Sequence, residues 1–434
     1  MLARRSYAIV ALLLLFASGS CKSAGGRDSY QSASRTSDAA KSPENREQHG
    51  NFPSATASRL LWARKVSELV GERGNMVLTG GFLALAIANT LTIVGLRDGE
   101  LRTWAGLQRE LYSSVIVDPK GRFLLVGANA YSVDADATAV WELPLSERRP
   151  IQDEWARCRP IFSARLKVLV AACNDGFLYG IRVDDTPKLI WKKPAYTEGL
   201  FRFFVGPGVG EVFVASISVR ASEASVELLN GKTGSLVTRI RQASGIFSAA
   251  SHGLLASVPS FALLSSTGEA KWRLEADHTY RSGLVICAKE EVVLAAARGR
   301  DSRSRLALYS MSDGRELVAP TAEGTPVAVG ADGTFYALSC DVSAVELPAA
   351  QPYLVAYNGA LNELWRVQLP VPSFTDGRYP CPSPGVALGQ DGNMYLSATR
   401  DGTYILAIRT DSPGPAVSPW PLWSGPLNGG RWAE

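Results

Sequence analysis

Histidine is scarce in this 434-residue chain: His49, His252 and His278 are all there are. No grouping of His, Cys and Glu has metal-ligand spacing. His252 and His278 stand alone in turn-like contexts, and a solitary histidine of that kind carries no catalytic assignment. There is no Gly-x-Ser-x-Gly elbow and no phosphate loop, so two common hydrolase and nucleotide signatures are missing. Gly206-Pro207-Gly208-Val209-Gly210 is glycine-rich, but no helix follows it to present a phosphate site, and it reads as a wide hairpin turn. An excess of one charge is also lacking. The formal net charge is +4, and Arg4 and Arg5 supply two of those charges. The remainder is near neutral, so no strong field draws nucleic acid, and no nucleic-acid partner is expected. Long capped helical periods are absent as well; 57–70 is open to a short helix or an entry strand. Asp134, Asp136 and Asp184-Asp185 are acidic enough to weigh for calcium, but each falls in a turn, where such residues are ordinarily solvated tips. No metal is expected.

What the chain does have begins with an address. Arg4 and Arg5 precede an apolar core, Ala8 to Ala17, which is too short to span a bilayer stably. Ser18-Gly19-Ser20 and Cys21 follow. This resembles the lipobox of bacterial lipoproteins, in which the cysteine is lipidated and becomes the first mature residue; Ser18 departs from the Leu-like residue preferred at its position. The resemblance implies a signal peptide over 1–20, lipidation of Cys21, and anchorage in a bacterial cell envelope. Lys22, where an aspartate would favour the inner membrane, directs the expectation to the outer membrane. Residues 21–57 have almost no aromatics and cannot bury enough surface to offset ordering entropy, so they read as a flexible tether.

From 58 to 434 a strand-turn-strand phrase recurs, often ending in tryptophan. It runs from Thr92 to Trp104, from Tyr131 to Trp141 and from Leu178 to Trp191, with later copies ending at Trp272 and Trp365. Runs such as Phe123-Leu124-Leu125-Val126 and Val168-Leu169-Val170-Ala171-Ala172 have the length of buried strands. Asn174-Asp175-Gly176, Asp332-Gly333, Asp391-Gly392 and Asp401-Gly402 supply the positive φ of tight hairpins. Three of them continue in one pattern, to Tyr179, Tyr336 and Tyr395. A second set of turns falls near 98, 136, 185, 233, 267, 313, 360 and 411, a mean step of about 45 residues. Strand units of that size cannot bury their faces singly and must stack on their neighbours. The expected fold is all-β: an eight-bladed β-propeller, or a seven-bladed one if a terminal unit is shared. The tryptophans are expected to fill the wedges between blades.

The Tyr179 to Trp191 copy, the copy Ser266-Thr267-Gly268-Glu269-Ala270-Lys271-Trp272, and the C-terminal run Ser418-Pro419-Trp420-Pro421-Leu422-Trp423 resemble the repeat family of PQQ-type, quinoprotein-like propellers. The match covers roughly 75–432, and the units near 233 and 313 lack the tryptophan. Within that superfamily, a lipid-anchored chain holding only the propeller resembles the lipoprotein subunit of the outer-membrane β-barrel assembly machine. That resemblance implies a non-catalytic scaffold. The quinone enzymes of the family use a vicinal disulfide and haem-bearing members use Cys-x-x-Cys-His; neither occurs here, so no cofactor is expected.

Besides Cys21 five cysteines remain, so at least one is unpaired within the chain. Cys158 and Cys173 flank a hairpin centred near Arg165-Leu166 and fall opposite each other. By repeat alignment Cys340 matches Cys173 and Cys381 matches Cys158 of the next unit, so a Cys340–Cys381 bond would cross between blades. Both bonds suit an exported protein. Cys287 reads as a buried thiol.

These features predict a membrane-tethered, non-enzymatic propeller that binds a protein partner, with Ser218 to Ser225, Gly299 to Arg305 and Asp341 to Pro352 as contact loops. No small-molecule ligand is expected. Two other classes stay open at this level: a quinone- or metal-dependent periplasmic enzyme, and a glycan-binding surface propeller using Tyr196, Tyr280 and Tyr379.

Overall fold

The computed structural model describes residues 59–68, 76–87, 90–97, 99–106, 115–145, 158–173, 177–194, 204–207, 212–217, 225–241, 247–248, 253–256, 262–265, 268–274, 279–287, 292–298, 304–340, 352–370, 385–399, 402–416 and 431–432. The expected signal peptide and tether lie outside these residues. Every described element is a strand, and no described helix is long and apolar enough to cross a membrane.

Among the described residues the strands form eight sheets. Sheets 1 to 7 occupy 76–104, 116–144, 158–194, 204–241, 247–273, 279–323 and 325–368 in chain order. Each contains a four-stranded antiparallel meander whose first strand is its innermost, and sheet 3 carries a fifth strand beyond that one. Sheet 8 takes three strands from 386–409 and its outermost strand from the other end of the chain, Leu60–Ser67. That strand pairs antiparallel with Thr403–Arg409, Ala63 opposite Leu406. Of the two forms open to 57–70, the strand is the one found. First strands lie side by side from sheet 6 through 7, 8, 1, 2, 3 and 4 to 5. The molecule is a β-propeller. Arg431–Trp432 runs parallel to Cys158–Ser163, on the inner side of sheet 3.

Burial follows the radius. Val168–Cys173 and Phe123–Val126 are buried at every position, because sheets cover both of their faces. The outer strand Ala139–Pro144 alternates instead, with one face toward water. The core lies between sheets. One cluster joins Val77, Ala84 and Ile93 of sheet 1 to Val117, Phe123 and Leu125 of sheet 2. Others join sheets 2 and 3, 6 and 7, 7 and 8, and 8 and 1.

One device recurs on the outer strands. In sheets 2 to 7 one residue at a common place there has no partner opposite: Val140, Ile190, Val237, Lys271, Leu317 and Leu364; in sheet 6 the stretch 319–321 is irregular as well. Such a β-bulge re-aims the next side chain. The next residue is Trp141, Trp191, Thr238, Trp272, Val318 or Trp365. The indoles turn toward the neighbouring sheet. Trp191 Nε1 donates to the Gly231 carbonyl and Trp272 Nε1 to the Met311 carbonyl, both at 2.9 Å. Trp104, in sheet 1 and without a bulge, meets Tyr131 of sheet 2 edge-on at 5.2 Å. Positive φ occurs in several outer turns, at Gly234 and Gly314, which lie against Trp191 and Trp272, and also at Ala137, Leu361 and Asp411.

The three Asx-Gly-to-tyrosine stretches are not one repeated strand. Phe177–Arg182 is the third strand of its sheet, whereas Phe335–Cys340 and Asn393–Thr399 are second strands. Tyr179, Tyr336 and Tyr395 are all fully buried. The likeness arises because any strand entering the core after a tight turn meets the same demand for a large buried ring.

Candidate functional site

Strand direction alternates within each sheet, so the turns divide into two sets at opposite ends of the strands. Turns after first and third strands share one end, and none exceeds five residues except the run 410–430 that follows the third strand of sheet 8. Connections after second and fourth strands share the other end and include 105–115, 145–157, 195–203, 218–224, 341–351 and 369–385.

The short-turn end is braced from within. Asp118, 2 % exposed, accepts from the amides of Lys120 and Arg122 at 2.8 and 2.9 Å. Its other oxygen takes Arg122 Nε at 2.7 Å. Asp134 accepts from the amides of Asp136 and Thr138 at 3.0 and 2.8 Å. Asn230 and Asn358 cap their own turns in the same way. Asp136 accepts from Arg102 of sheet 1 at 2.8 Å, and Asp185 pairs with Lys120 of sheet 2. The Lys120 hydrogen bond and charge hold the Asp185 carboxyl below its ordinary range. The acidic turn residues therefore brace hairpin tips and stitch neighbouring sheets. Among the described residues no three His, Cys, Asp or Glu side chains converge as metal ligands.

The opposite, loop-bearing end holds all three segments expected to make contacts: 218–225 joins strands of sheet 4, 299–305 those of sheet 6 and 341–352 those of sheet 7. Most of their residues lie outside the described set, as do Tyr196, Tyr379, His49, His252 and His278; Tyr280 is in the strand Thr279–Cys287. At this end Cys158 opens the first strand of sheet 3 and Cys173 closes the second, in direct register. Their sulfurs are bonded, with Cα atoms 4.1 Å apart. Cys340 ends the second strand of sheet 7 at this same end; Cys21 and Cys381 lie outside the described residues. Cys287 ends a first strand, at the short-turn end.

Beside the disulfide, Lys192 Nζ stands 4.1 Å from the Phe177 ring centroid and 5.3 Å from that of Tyr179. Glu227 of sheet 4 is buried between Lys193 of sheet 3 at 3.0 Å and Arg239 at 2.5 Å. Burial pushes the Glu227 carboxyl up, but the hydrogen bonds and charges of Arg239 and Lys193 outweigh it and leave it below the ordinary range. This trio was not legible in the sequence, since its members come from three strands.

Among the described residues, clefts open between sheets. One, of about 660 Å³, separates sheets 1 and 8 at the short-turn end, between Leu78, Gly80, Leu96 and Arg97 on one side and Gln390 and Asp391 on the other. The second, of about 460 Å³, lies between sheets 6 and 7 and is lined by Glu323, Tyr353, Tyr357, Asn362, Glu363 and Arg366. Tyr357 donates to the Glu323 carbonyl at 3.0 Å, and burial with the nearby Glu363 charge pushes its hydroxyl up to about 12. Glu363 and Arg366 pair with each other. The one sequence signal for this cleft is the tryptophan missing from the unit near 313.

These surfaces offer contact and shape. No protein-family model and no curated protein matches the chain. Solved structures do match in fold. BamB from Moraxella catarrhalis aligns at 11 % identity and TM-score 0.51, over 80 % of this chain and 99 % of that one. Saccharomyces cerevisiae Sqt1 aligns at 10 % identity and TM-score 0.56, over 81 % of this chain and 99 % of that one. The chain is thus a β-propeller that resembles BamB in fold.

Proposed function

We propose that this protein is a non-catalytic, eight-bladed propeller lipoprotein, anchored to the outer membrane through Cys21, whose loop-bearing end docks a protein partner during outer-membrane protein assembly. One observation carries the docking part: apart from the C-terminal run 410–430, every connection between successive strands that is longer than five residues is at one end of the strands. A rigid scaffold with variable connections gathered on one side is the usual arrangement of a binding surface. The N-terminal export pattern and the fold likeness to BamB support the envelope setting. The chain enters Leu60–Ser67 from the short-turn end, since that strand runs opposite to Thr403–Arg409. Its attachment point is therefore at the far end from the long connections. The Cys158–Cys173 bond persists in the oxidising envelope on this reading, and a Cys340–Cys381 bond belongs to the same proposal.

The test is metabolic labelling with an alkyne-bearing palmitate, followed by in-cell crosslinking and capture from detergent-solubilised membranes. Label should be lost in Cys21→Ser, and the wild-type propeller should bring down a crosslinked protein. Unchanged labelling of Cys21→Ser, or recovery of the crosslinked propeller alone, would overturn the proposal.

A further inference from the structure

The chain is near neutral as a whole, but its outer strands divide the charge unevenly. Lys188–Pro194 of sheet 3, Leu236–Arg241 of sheet 4 and Ala270–Arg273 of sheet 5 carry lysines and arginines and no Asp or Glu. Carboxylates fall instead on other outer strands: Glu142 in sheet 2, Glu316 and Glu323 in sheet 6, and Glu363 in sheet 7. The three basic strands belong to neighbouring sheets. Trp191 of sheet 3 donates to Gly231 of sheet 4, and Ile240 of sheet 4 lies 2.7 Å from where a Cβ on Gly268 of sheet 5 would be. Lys188, Lys192, Lys271 and Arg273 are exposed. Lys193 and Arg239 share the buried carboxylate of Glu227, so that trio keeps a surplus positive charge. In the adjoining turns, Asp184 and Asp185 pair with Lys167 and Lys120, and Glu269 is exposed.

Apolar side chains stand among these cations. Leu236 and Val237, in the middle of the three strands, are 47 % and 53 % exposed. Val140, Leu317 and Leu364 are exposed as well, but each has a glutamate close by in its own strand: Glu142, Glu316 or Glu363. The pair in sheet 4 has cations in its own strand and in the strands on either side. Exposed aliphatic groups mixed with lysine and arginine suit the polar boundary of a bilayer, where the stems and apolar groups sink and the charges meet phosphate. The edges themselves favour a flat anionic layer over an added polypeptide strand. Bulges at Ile190, Val237 and Lys271 interrupt the ladder in each strand, and lysines along an edge discourage further pairing. The clefts described above lie between sheets 1 and 8 and between sheets 6 and 7, away from this sector.

We propose that the outer face of sheets 3 to 5 docks on an anionic phospholipid membrane, its lysines and arginines against the lipid phosphates and Leu236 and Val237 in the interface. The inference rests on the envelope setting proposed above for the membrane itself, and adds which side of the propeller is turned toward it.

Lysine acetylation, read residue by residue by mass spectrometry, tests this on the purified full-length protein. The vesicles are phosphatidylcholine, with or without about 30 % phosphatidylglycerol. Phosphatidylglycerol should slow labelling of Lys188, Lys192 and Lys271 at least threefold and leave Lys65, on sheet 8, unchanged. Salt at about 0.5 M should remove the difference. Lys188→Glu combined with Arg273→Glu should abolish the slowing at Lys192 and Lys271, whereas the same charge change at Arg97 and Arg409, on sheets 1 and 8, should preserve it. Equal labelling on the two kinds of vesicle would overturn the proposal. So would slowing that extends equally to Lys65. Slowing by poly-glutamate but not by phosphatidylglycerol would overturn it too, by assigning the face to an acidic polypeptide. The anchor is read separately: palmitate label on Cys21 with no slowing at the three lysines would keep the envelope reading and sink this one.

Discussion

Gly314 illustrates how much a single position can be asked to do. Its φ of 73° favours glycine, and the Trp272 ring occupies the space a side chain would need. Alanine there must bear the left-handed backbone penalty and also displace an indole hydrogen-bonded to Met311. Gly314→Ala should cost about 2 kcal/mol, measured as a lower urea midpoint. Gly359→Ala, where no heavy atom lies within 4 Å, should move the midpoint little. Glu227 sets a pH dependence. Its folded carboxyl titrates below the ordinary value of 4.5, so its contribution is present above that pH and is lost as pH falls through the lowered value. Arg239 is half exposed, which moderates the pair. Glu227→Gln should lose about 2 kcal/mol at neutral pH and flatten the acid limb of a stability–pH curve. Equal acid limbs in the two proteins would show that the buried carboxylate is not the group responsible.

Among elements, the outer strands are the most informative. A regular ladder would place successive side chains on alternate faces, but an extra residue breaks that alternation in six sheets and turns the following side chain inward. The same step leaves Val140, Val237, Leu317 and Leu364 exposed, which accounts for most of the large apolar side chains facing water. At the inner edge, the first hairpin of sheet 3 is the disulfide-clasped one, with a sequence separation of 15. Replacing both Cys158 and Cys173 by serine should lower stability by about 3 kcal/mol under non-reducing conditions, and adding reductant should then change the double variant little. Thermal melts of both proteins with and without reductant would check this. The hairpin was legible because its two cysteines lie symmetrically about a local turn. The bulges were not, because one extra residue in a short strand does not disturb an apolar pattern enough to be seen.

At the scale of the molecule, the repeat and its outer turns carried the architecture. Seven of the eight expected outer turns hold a positive-φ residue at or beside the expected position: Gly99, Ala137, Gly234, Gly268, Gly314, Leu361 and Asp411. Closure was not legible, because Leu60–Ser67 finds its partner about as far along the chain as it can, at Thr403–Arg409, and no local pattern encodes such a pairing. Arg59 fastens that seam. Its guanidinium reaches Asp411 at 2.6 Å and lies 4.3 Å from the Trp365 ring centroid. Arg59→Ala should cost about 1 kcal/mol. It should also raise exchange selectively in 60–67 and 403–409, with little change in sheets 2 and 3. Uniform exchange changes across all sheets would argue against a local seam. Of the candidate surfaces, the loop-bearing end could be foreseen from the lengths between strands. The cleft between sheets 6 and 7 could not, since Val318 looks ordinary until it is compared with Trp272 at the same register.

The seam also determines how the molecule would answer a mechanical pull. Tension arriving along the N-terminal chain falls first on the ladder between Leu60–Ser67 and Thr403–Arg409. That ladder completes sheet 8 by hydrogen bonds between the two ends of the chain rather than by covalent continuity within a meander. Failure there would release the outer strand of sheet 8 while leaving the remaining meanders intact.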